Sequence, residues 1–316
     1  MRRLMVSRIV REASGVLGLH LRSPDGAMLP AFEAGAHVDV ALGNGLLRQY
    51  SLCGDPAELG VYRLGIGLAA GSRGGSRYVH EQLREGDLVD IGEPRQLFGL
   101  HAQAGAHVFI AGGIGITPIL SMIHACVRRG EPWRLLYCVR DRDAAAYLAE
   151  LVLHGERVDL HVDSEQGGAR CDLDAYLAAR QEPGLHVYCC GPAPLMDAVA
   201  AACKRRGISA PRVHFERFAV APPAEAEAGA AFRIKLVRSG GCHEVPPDKS
   251  VLDVLEAAGV AWPHSCREGL CRSCEAGVLS GEVDHRDYVL SDEERAANRS
   301  MMVCVSRGCG TLELDV

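Results

Sequence analysis

Through the N-terminal third of the chain, apolar and polar positions alternate with a period of two, and each alternating run ends near a glycine or proline. On that pattern Leu17–Leu21, His37–Leu42, Tyr50–Leu52, Val61–Gly67 and Asp87–Gly92 read as strands, with one short helix over Arg77–Arg84. Short strands broken by turn residues predict a small antiparallel β-barrel, assigned to residues 1–103.

The period then changes. His107–Ala111, Arg134–Val139, Val158–Val162 and His186–Cys190 are strand-like apolar runs, and Arg212–Phe218 reads as a fifth strand. Helical spacing appears between them, over Pro118–Arg129, Ala144–Leu153, Leu173–Arg180 and Ala193–Arg206. Strands alternating with helices predict a parallel, doubly wound α/β domain over 104–218. The stretch 219–231, AVAPPAEAEAGAA, has no aromatic residue and two consecutive prolines, and reads as a linker of at most roughly 40 Å.

Beyond it, Phe232–Val237 and Cys242–Val245 read as a hairpin, followed by a helix from Ser250, whose hydroxyl can cap the first turn. Asp253 adds a carboxylate where the helix dipole favours one. A short strand at Gly277–Leu279, a charged helix near Ser291–Asn298 and strands at Met301–Val305 and Thr311–Val316 complete the pattern. One helix laid across a small mixed sheet predicts an α+β domain of β-grasp type over 232–316. The whole is therefore read as a multidomain chain: antiparallel β-barrel, doubly wound α/β layer, linker, α+β module.

A chain of 316 residues can bury three such cores. Its net charge of −6 argues against the concentrated basic surface of a nucleic-acid binder, and no run of eighteen uncharged apolar residues predicts a membrane span. The Met1–Val10 start is too charged and too short for a signal peptide. Thirteen cysteines, placed mostly in apolar strands and helices, suit free thiols in a reducing compartment, so a cytoplasmic protein is expected. The charge is uneven: residues 229–316 hold fourteen Asp and Glu against ten Lys and Arg, placing −4 of the −6 there. Such a face could steer a basic partner at low salt, and an ordinary solubilising surface accounts for it equally well.

Four cysteines carry the most specific chemistry. Cys266, Cys271, Cys274 and Cys304 stand as C-x₄-C-x₂-C followed by a distant Cys, the spacing by which plant-type ferredoxins hold a [2Fe–2S] cluster. Gly269 permits the tight curvature that a cluster-wrapping loop needs. A zinc site drawn from Cys271, Cys274, Cys304 and Cys309 is the competing reading, and it leaves Cys266 idle.

Arg48-Gln49-Tyr50-Ser51 opens a strand, where alternation puts Arg48 and Tyr50 on one face and Ser51 on the other. A flavin needs a flat ring beside it, a donor near its reactive nitrogen, and positive charge or free amides for its phosphate. Gly74-Gly75-Ser76, ahead of a short helix, offers such amides. Each piece alone is more often an ordinary strand or loop. Ala111-Gly112-Gly113-Ile114-Gly115-Ile116-Thr117-Pro118 follows a strand and opens a helix, with Thr117 placed as N-cap and Pro118 as first helical residue. Its glycines would let the backbone approach a pyrophosphate, although the G-x-G-x-x-G spacing is absent and a plain packing turn competes. Cys190-Gly191-Pro192 ends the fourth strand, where open α/β sheets place ligands, and would let a nicotinamide ring come close. Cys189 reads as core. Arg140 could meet a 2′-phosphate and Asp141 a ribose hydroxyl, so the choice of dinucleotide stays open there, with NADH favoured.

Together, R-Q-Y-S-L-C, G-G-S, A-G-G-I-G-I-T-P, C-C-G-P and the C-terminal C-x₄-C-x₂-C…C resemble the phthalate dioxygenase reductase family, which includes the vanillate O-demethylase reductases, over essentially the whole chain. The resemblance implies FMN rather than FAD, with Arg48, Tyr50 and Ser51 around the flavin and Gly74, Gly75 and Ser76 at its phosphate. It implies Gly113, Gly115, Thr117 and Gly191 at the dinucleotide, Cys190 near the nicotinamide, and Phe218 as the aromatic cover of the flavin. Ser51, Cys190 and Phe218 are thus the residues expected at the reacting centre.

NADH releases two electrons together whereas a [2Fe–2S] cluster accepts one, and a flavin converts between them. The expected function is an NADH-dependent oxidoreductase that passes electrons through FMN to the cluster and on to a terminal oxygenase, of Rieske type, acting on aromatic rings or O-methyl groups. A monomer suffices for this. The competing readings are a stand-alone NAD(P)H reductase serving a separate ferredoxin, haem monooxygenase or quinone, and a non-enzymatic module stabilised by metal.

Overall fold

The computed structural model describes residues 1–69, 71–72, 74–180, 182–218 and 230–316. The expected linker, except for Ala230 and Ala231, lies outside them. Six strands, β1 (Arg2–Ala13), β2 (Val16–Arg22), β3 (His37–Ala41), β4 (Leu47–Ser51), β5 (Tyr62–Gly67) and β6 (Leu88–Ile91), form an antiparallel sheet in the order β4-β3-β6-β1-β2-β5. An isolated bridge between Leu52, just beyond β4, and Leu64 of β5 joins the two edges and closes the barrel. β1 is absent from the sequence pattern because arginines and glutamate on its outer face obscure the alternation, yet Leu4 and Val6 are fully buried. With Leu19, Leu21, Val38, Leu64 and Ile91 they fill the interior, each side chain gaining about 1.5–3 kcal/mol from leaving water. The expected barrel helix, α1, covers Gly75–Glu81.

The second sheet is wholly parallel. β7 (Ala106–Gly112), β8 (Trp133–Val139), β9 (Val158–Val162), β10 (Leu185–Cys190) and β11 (Val213–Glu216) run in the order β11-β10-β7-β8-β9. Phe109, Leu135 and Tyr188 pack on one face with α2 (Ile116–Arg129). Ile110, Leu136 and Cys189 pack on the other, against Leu173 and Met196 of the later helices. The helix expected over Ala144–Leu153 is a single turn, α3 (Leu148–Leu151), because Tyr147 takes a left-handed φ of 59° and buries its ring, its hydroxyl accepting from Cys53 Sγ at 3.4 Å. α4 (Leu173–Ala178) and α5 (Ala193–Arg205) follow expectation. Val16, Ala34, Cys53 and Phe98 of the barrel region join the same core as α2, and the Gly35 N–H donates to Ser121 Oγ at 2.8 Å. Met1–Arg217 is accordingly one compact unit and Phe218–Val316 a second.

In the second unit β12 (Phe232–Leu236), β13 (Cys242–Val245), β14 (Glu275–Asp284), β15 (Ser300–Met302) and β16 (Arg307–Leu314) form a mixed sheet ordered β13-β12-β16-β14-β15, parallel only between β12 and β16. α6 (Val251–Ala257) lays Val251, Leu252 and Leu255 into the core. Its start is a capping box: the Asp253 N–H donates to Ser250 Oγ (3.1 Å) and the Ser250 N–H to Asp253 Oδ2 (3.0 Å), a cap worth about 1 kcal/mol. α7 covers Asp292–Ala297. Two expectations need correcting. The strand at Gly277–Leu279 is part of a longer, irregularly registered β14. The strand expected over Met301–Val305 stops at Met302, where the Val305 and Ser306 N–H groups both donate to the Met302 carbonyl (3.2 and 3.0 Å) and turn the chain, so Cys304 sits in a turn. Among the described residues no helix is long and apolar enough to cross a membrane.

Candidate functional site

The loop from Cys266 to Cys274 is wound by three left-handed residues, Arg267 (φ 59°), Gly269 (φ 70°) and Arg272 (φ 55°). Gly269 is fixed twice over: beyond its φ, a Cβ there would lie 2.7 Å from Val305 Cγ2 and 3.0 Å from Asp287 Cα. The winding aims the Glu268 and Leu270 N–H groups at Cys266 Sγ, at 3.3 and 3.4 Å. Cys266 is within hydrogen-bonding reach of both Cys271 and Cys304, and Cys304 of Cys274. Hydrogen bonding from Cys271 holds the Cys266 thiol low, and hydrogen bonding from Cys304 does the same for Cys274. Four buried or half-buried sulfurs joined in a row of pairwise contacts, Cys271–Cys266–Cys304–Cys274, with amide donors already turned toward Cys266, fit the thiolate set of a [2Fe–2S] cluster. Cys309, which the zinc reading needs, is exposed in β16 opposite Glu282.

The charged neighbours brace the loop. Arg267 turns its guanidinium to Asp253 (3.2 Å) and Glu256 of α6, and half-exposed pairs of this kind contribute no more than about 1 kcal/mol. Arg272 reaches Glu275 (3.0 Å) and Glu294 of α7 (2.9 Å). The Trp262 indole N–H donates to the Cys274 carbonyl at 3.4 Å. Backbone amides, and not the Arg267 charge, therefore face Cys266.

In the first unit, three strand ends converge. β10 ends at Cys190 and β11 at Glu216, which are register neighbours, and the Ser51 hydroxyl at the end of β4 donates to Glu216 Oε2 at 3.4 Å. Burial pushes the Glu216 carboxyl up to about 8, with the Ser51 hydrogen bond pulling the other way. Burial, then the Glu216 charge, raises the Cys190 thiol well above its usual range, so it stands there as a neutral S–H. Glu216 was not singled out from the sequence. The only signal was a carboxylate at the end of an otherwise apolar strand, and its meaning depends on Ser51, 165 residues away.

Arg48 lies across Gly75, so close that a Cβ there would be 2.7 Å from Arg48 Cγ and 2.8 Å from Nε. The basic side chain and the Gly74-Gly75-Ser76 segment are thus brought together. Gly74 caps α1 with a φ of 91°, and Ser76 Oγ donates to Ser72 Oγ at 3.0 Å. Burial pushes the half-buried Tyr50 phenol up to about 12, so it remains protonated. Phe218, just past β11, is 44 % exposed.

The turn after β7 also corrects an expectation. α2 begins at Ile116 behind a short 3₁₀ turn over Gly113–Gly115, so Thr117 is inside the helix, donating its hydroxyl to the Ile114 carbonyl at 3.0 Å, and is 1 % exposed. The capping role fails because the glycine turn itself supplies the helical geometry one residue earlier. Around Gly113, by contrast, nothing lies within 4 Å of where a Cβ would stand, which leaves room for a ligand against the backbone. Gly115 is pressed onto the end of β10: a Cβ would be 2.2 Å from the Cys190 carbonyl oxygen and 2.9 Å from the Gly191 nitrogen. Gly191 in turn packs on Gly112. The Arg140 and Asp141 side chains are exposed beyond β8.

Because the folded-state pKa of Glu216 lies above its ordinary carboxyl value, the favourable contribution is complete at low pH and is lost as pH rises through about 8. Thermal unfolding followed between about pH 5 and 9 should show that fall in the native protein and a shallower one in Glu216→Gln. Identical slopes would assign the fall to another group.

A closed barrel, a parallel sheet with an open glycine turn, and a loop whose three sulfurs meet a fourth from a distant turn define an iron–sulfur oxidoreductase that works with a nucleotide. The profile of the 2Fe-2S iron-sulfur cluster binding domain matches residues 237–309, and that of the N-terminal domain of the dimethylamine monooxygenase subunit DmmA-like proteins matches 94–213. The phenoxybenzoate dioxygenase subunit beta of Ectopseudomonas oleovorans is 46 % identical over 99 % of this chain and 96 % of its own. Phthalate dioxygenase reductase, solved as a modular structure for electron transfer from pyridine nucleotides to [2Fe-2S], superposes with a TM-score of 0.73 at 38 % identity, over 99 % of this chain and 97 % of that one. An intact type IV self-sufficient cytochrome P450 monooxygenase superposes with a TM-score of 0.91 at 38 % identity over the whole of this chain, which spans 41 % of that one. The chain belongs to the phthalate dioxygenase reductase family.

Proposed function

We propose that the chain is the NADH-dependent reductase component of an aromatic-ring oxygenase or O-demethylase system, delivering electrons to a terminal oxygenase of Rieske type. The observation that carries this reading is the clustering of Cys266, Cys271, Cys274 and Cys304, joined as Cys271–Cys266–Cys304–Cys274, in a chain that also gathers Ser51, Cys190 and Glu216 at its strand ends. In it residues 1–103 bind FMN, 104–218 bind NADH, 219–231 link, and 232–316 hold the cluster; the protein acts as a cytoplasmic monomer.

Arg48 and the Gly74-Gly75-Ser76 segment would hold the flavin phosphate, with Tyr50 and Ser51 beside the ring and Phe218, exposed beyond β11, as its aromatic cover. Gly113, Gly115 and Gly191 would admit the dinucleotide close to the backbone, with Thr117 spacing the turn from inside the helix. Bound FMN supplies the conversion of a two-electron donor into single-electron delivery. Ser51 Oγ and Glu216 form a donor–acceptor pair that can hold a proton at that hydroxyl. Cys190, fully buried and uncharged in the structure, would lie close to the nicotinamide without adding charge there. In the second unit the Glu268 and Leu270 amides donate to Cys266 Sγ and would favour its thiolate as a cluster ligand.

The test is reconstitution. Purified protein is expected to yield FMN on denaturation, to contain about two irons per chain, and to bleach with NADH. Turnover of a Rieske oxygenase supplied by this protein should be faster with NADH than with NADPH. A colourless protein holding zinc would sink the reading. The likeness to a self-sufficient cytochrome P450 monooxygenase supports a haem monooxygenase as the second acceptor class; faster turnover with such a partner would move the assignment there.

A further inference from the structure

At the opposite end of the parallel sheet from Cys190 and Glu216, where the strands begin, three metal-binding side chains meet. His107 is the second residue of β7, Cys126 lies in the C-terminal half of α2, and Glu131 lies in the connection to β8. One donor atom from each lies within 4.8 Å of the other two. We infer that His107, Cys126 and Glu131 form a binding site for a divalent transition-metal ion of the zinc type, separate from the electron path and from the iron–sulfur loop.

The backbone holds these donors in place before any ion arrives. The Glu131 N–H donates to the Cys126 carbonyl (3.0 Å) and the His107 N–H to the Pro132 carbonyl (2.9 Å). His107 Nε2 is 3.2 Å from Glu131 Oε2, while Arg129 approaches the other carboxylate oxygen at 3.8 Å, so one oxygen is anchored and the other faces the site. The Phe109 ring lies parallel to His107 at 5.9 Å, and Tyr188 flanks it at 5.7 Å, fixing the imidazole plane. Among the described residues nothing pairs with His107 Nδ1, the nitrogen that takes up the proton when Nε2 ligates. Burial favours the neutral imidazole, the form that ligates.

The donor set of nitrogen, sulfur and carboxylate oxygen selects a borderline-soft ion and disfavours calcium and magnesium, which take oxygen ligands. Three protein ligands leave a fourth position to water. Binding replaces the Cys126 thiol proton by the metal–sulfur bond and moves the imidazole proton from Nε2 to Nδ1, so one proton leaves per ion bound and no electron is transferred. The buried thiol, pushed up to about 12 by burial and by Glu131, gives up that proton only to a strongly binding ion. Such an ion would tie the start of β7 to the end of α2 and the entry to β8.

The test is a zinc titration of the intact, cluster-loaded protein against a competing indicator, with zinc-edge X-ray absorption on the loaded sample. A double variant, Cys242→Ala with Cys309→Ala, removes two exposed thiols as adventitious sites. About one tightly held zinc per chain, with one sulfur in its shell, is expected in both the native protein and that double variant. Glu131→Gln, at a partly exposed position, should weaken binding at least about tenfold without unfolding the chain, and Cys126→Ala should lose the sulfur. The inference is overturned by zinc bound no more tightly than in Glu131→Gln, or by a sulfur shell that survives Cys126→Ala; the triad is then a hydrogen-bonded plug alone.

Discussion

Cys274→Ser is expected to strip iron from the protein while leaving NADH oxidation by ferricyanide intact. Cys274 is 2 % exposed, hydrogen-bonds with Cys304, and packs in the core of the second unit. A serine hydroxyl at that depth stays protonated and cannot replace the thiolate, so the cluster loses one of four anionic anchors. Iron should fall from about two per chain to below about a tenth of that. Electron delivery to an acceptor that draws from the cluster should fall by at least about a hundredfold, whereas ferricyanide, which can draw from the flavin, should be reduced within about twofold of the native rate. Cys309→Ser is the matched control and should change neither quantity, because Cys309 is exposed in β16. Iron lost with Cys309 and retained without Cys274 would reassign the fourth ligand.

Gly115→Val carries the second large effect. Its Cβ would stand 2.2 Å from the Cys190 carbonyl oxygen, 2.5 Å from the carbonyl carbon and 2.9 Å from the Gly191 nitrogen, all backbone atoms that no rotamer change can move. Either the start of α2 or the end of β10 must shift, at a cost of about 3 kcal/mol or more. For a unit of this size that lowers the thermal midpoint by roughly 6–12 °C. The same shift displaces Cys190 and its neighbour Glu216 from Ser51, and misplacement by about an ångström costs about a hundredfold in rate. Gly113→Ala separates the two causes. It meets no atom within 4 Å and pays only for its left-handed φ of 54°, about 1–2 kcal/mol. Equal losses of stability in the two variants would remove the close approach of Gly115 as the reason for that glycine.

Both effects sit on residues that were legible as sequence, for a common reason. Both segments are local: three of the four clustered cysteines and the curving glycine fall between Cys266 and Cys274, and the glycine turn between Gly112 and Gly115. Spacing along the chain then limits geometry directly. Element type was legible wherever burial imposed one clean period, as in β7 and β10, which are buried throughout. It was not where polar residues occupy the exposed side of a buried strand, as in β1, or where a single buried ring breaks a helix, as at Tyr147.

What the order of residues determined unaided is the class of each sheet, the spacing that lets four cysteines come together, and the glycines where the backbone packs closely. Tertiary structure alone decided that Glu216 faces Ser51, that Leu52 closes the barrel on Leu64, and that His107 meets Cys126 and Glu131. Those pairings join residues on different elements, and whether a buried carboxylate becomes a proton-holding group, a metal ligand or an ordinary strand end depends on which element packs across from it. Local periodicity carries no record of that neighbour; the closing of the sheet and the stacking of its helices supply it.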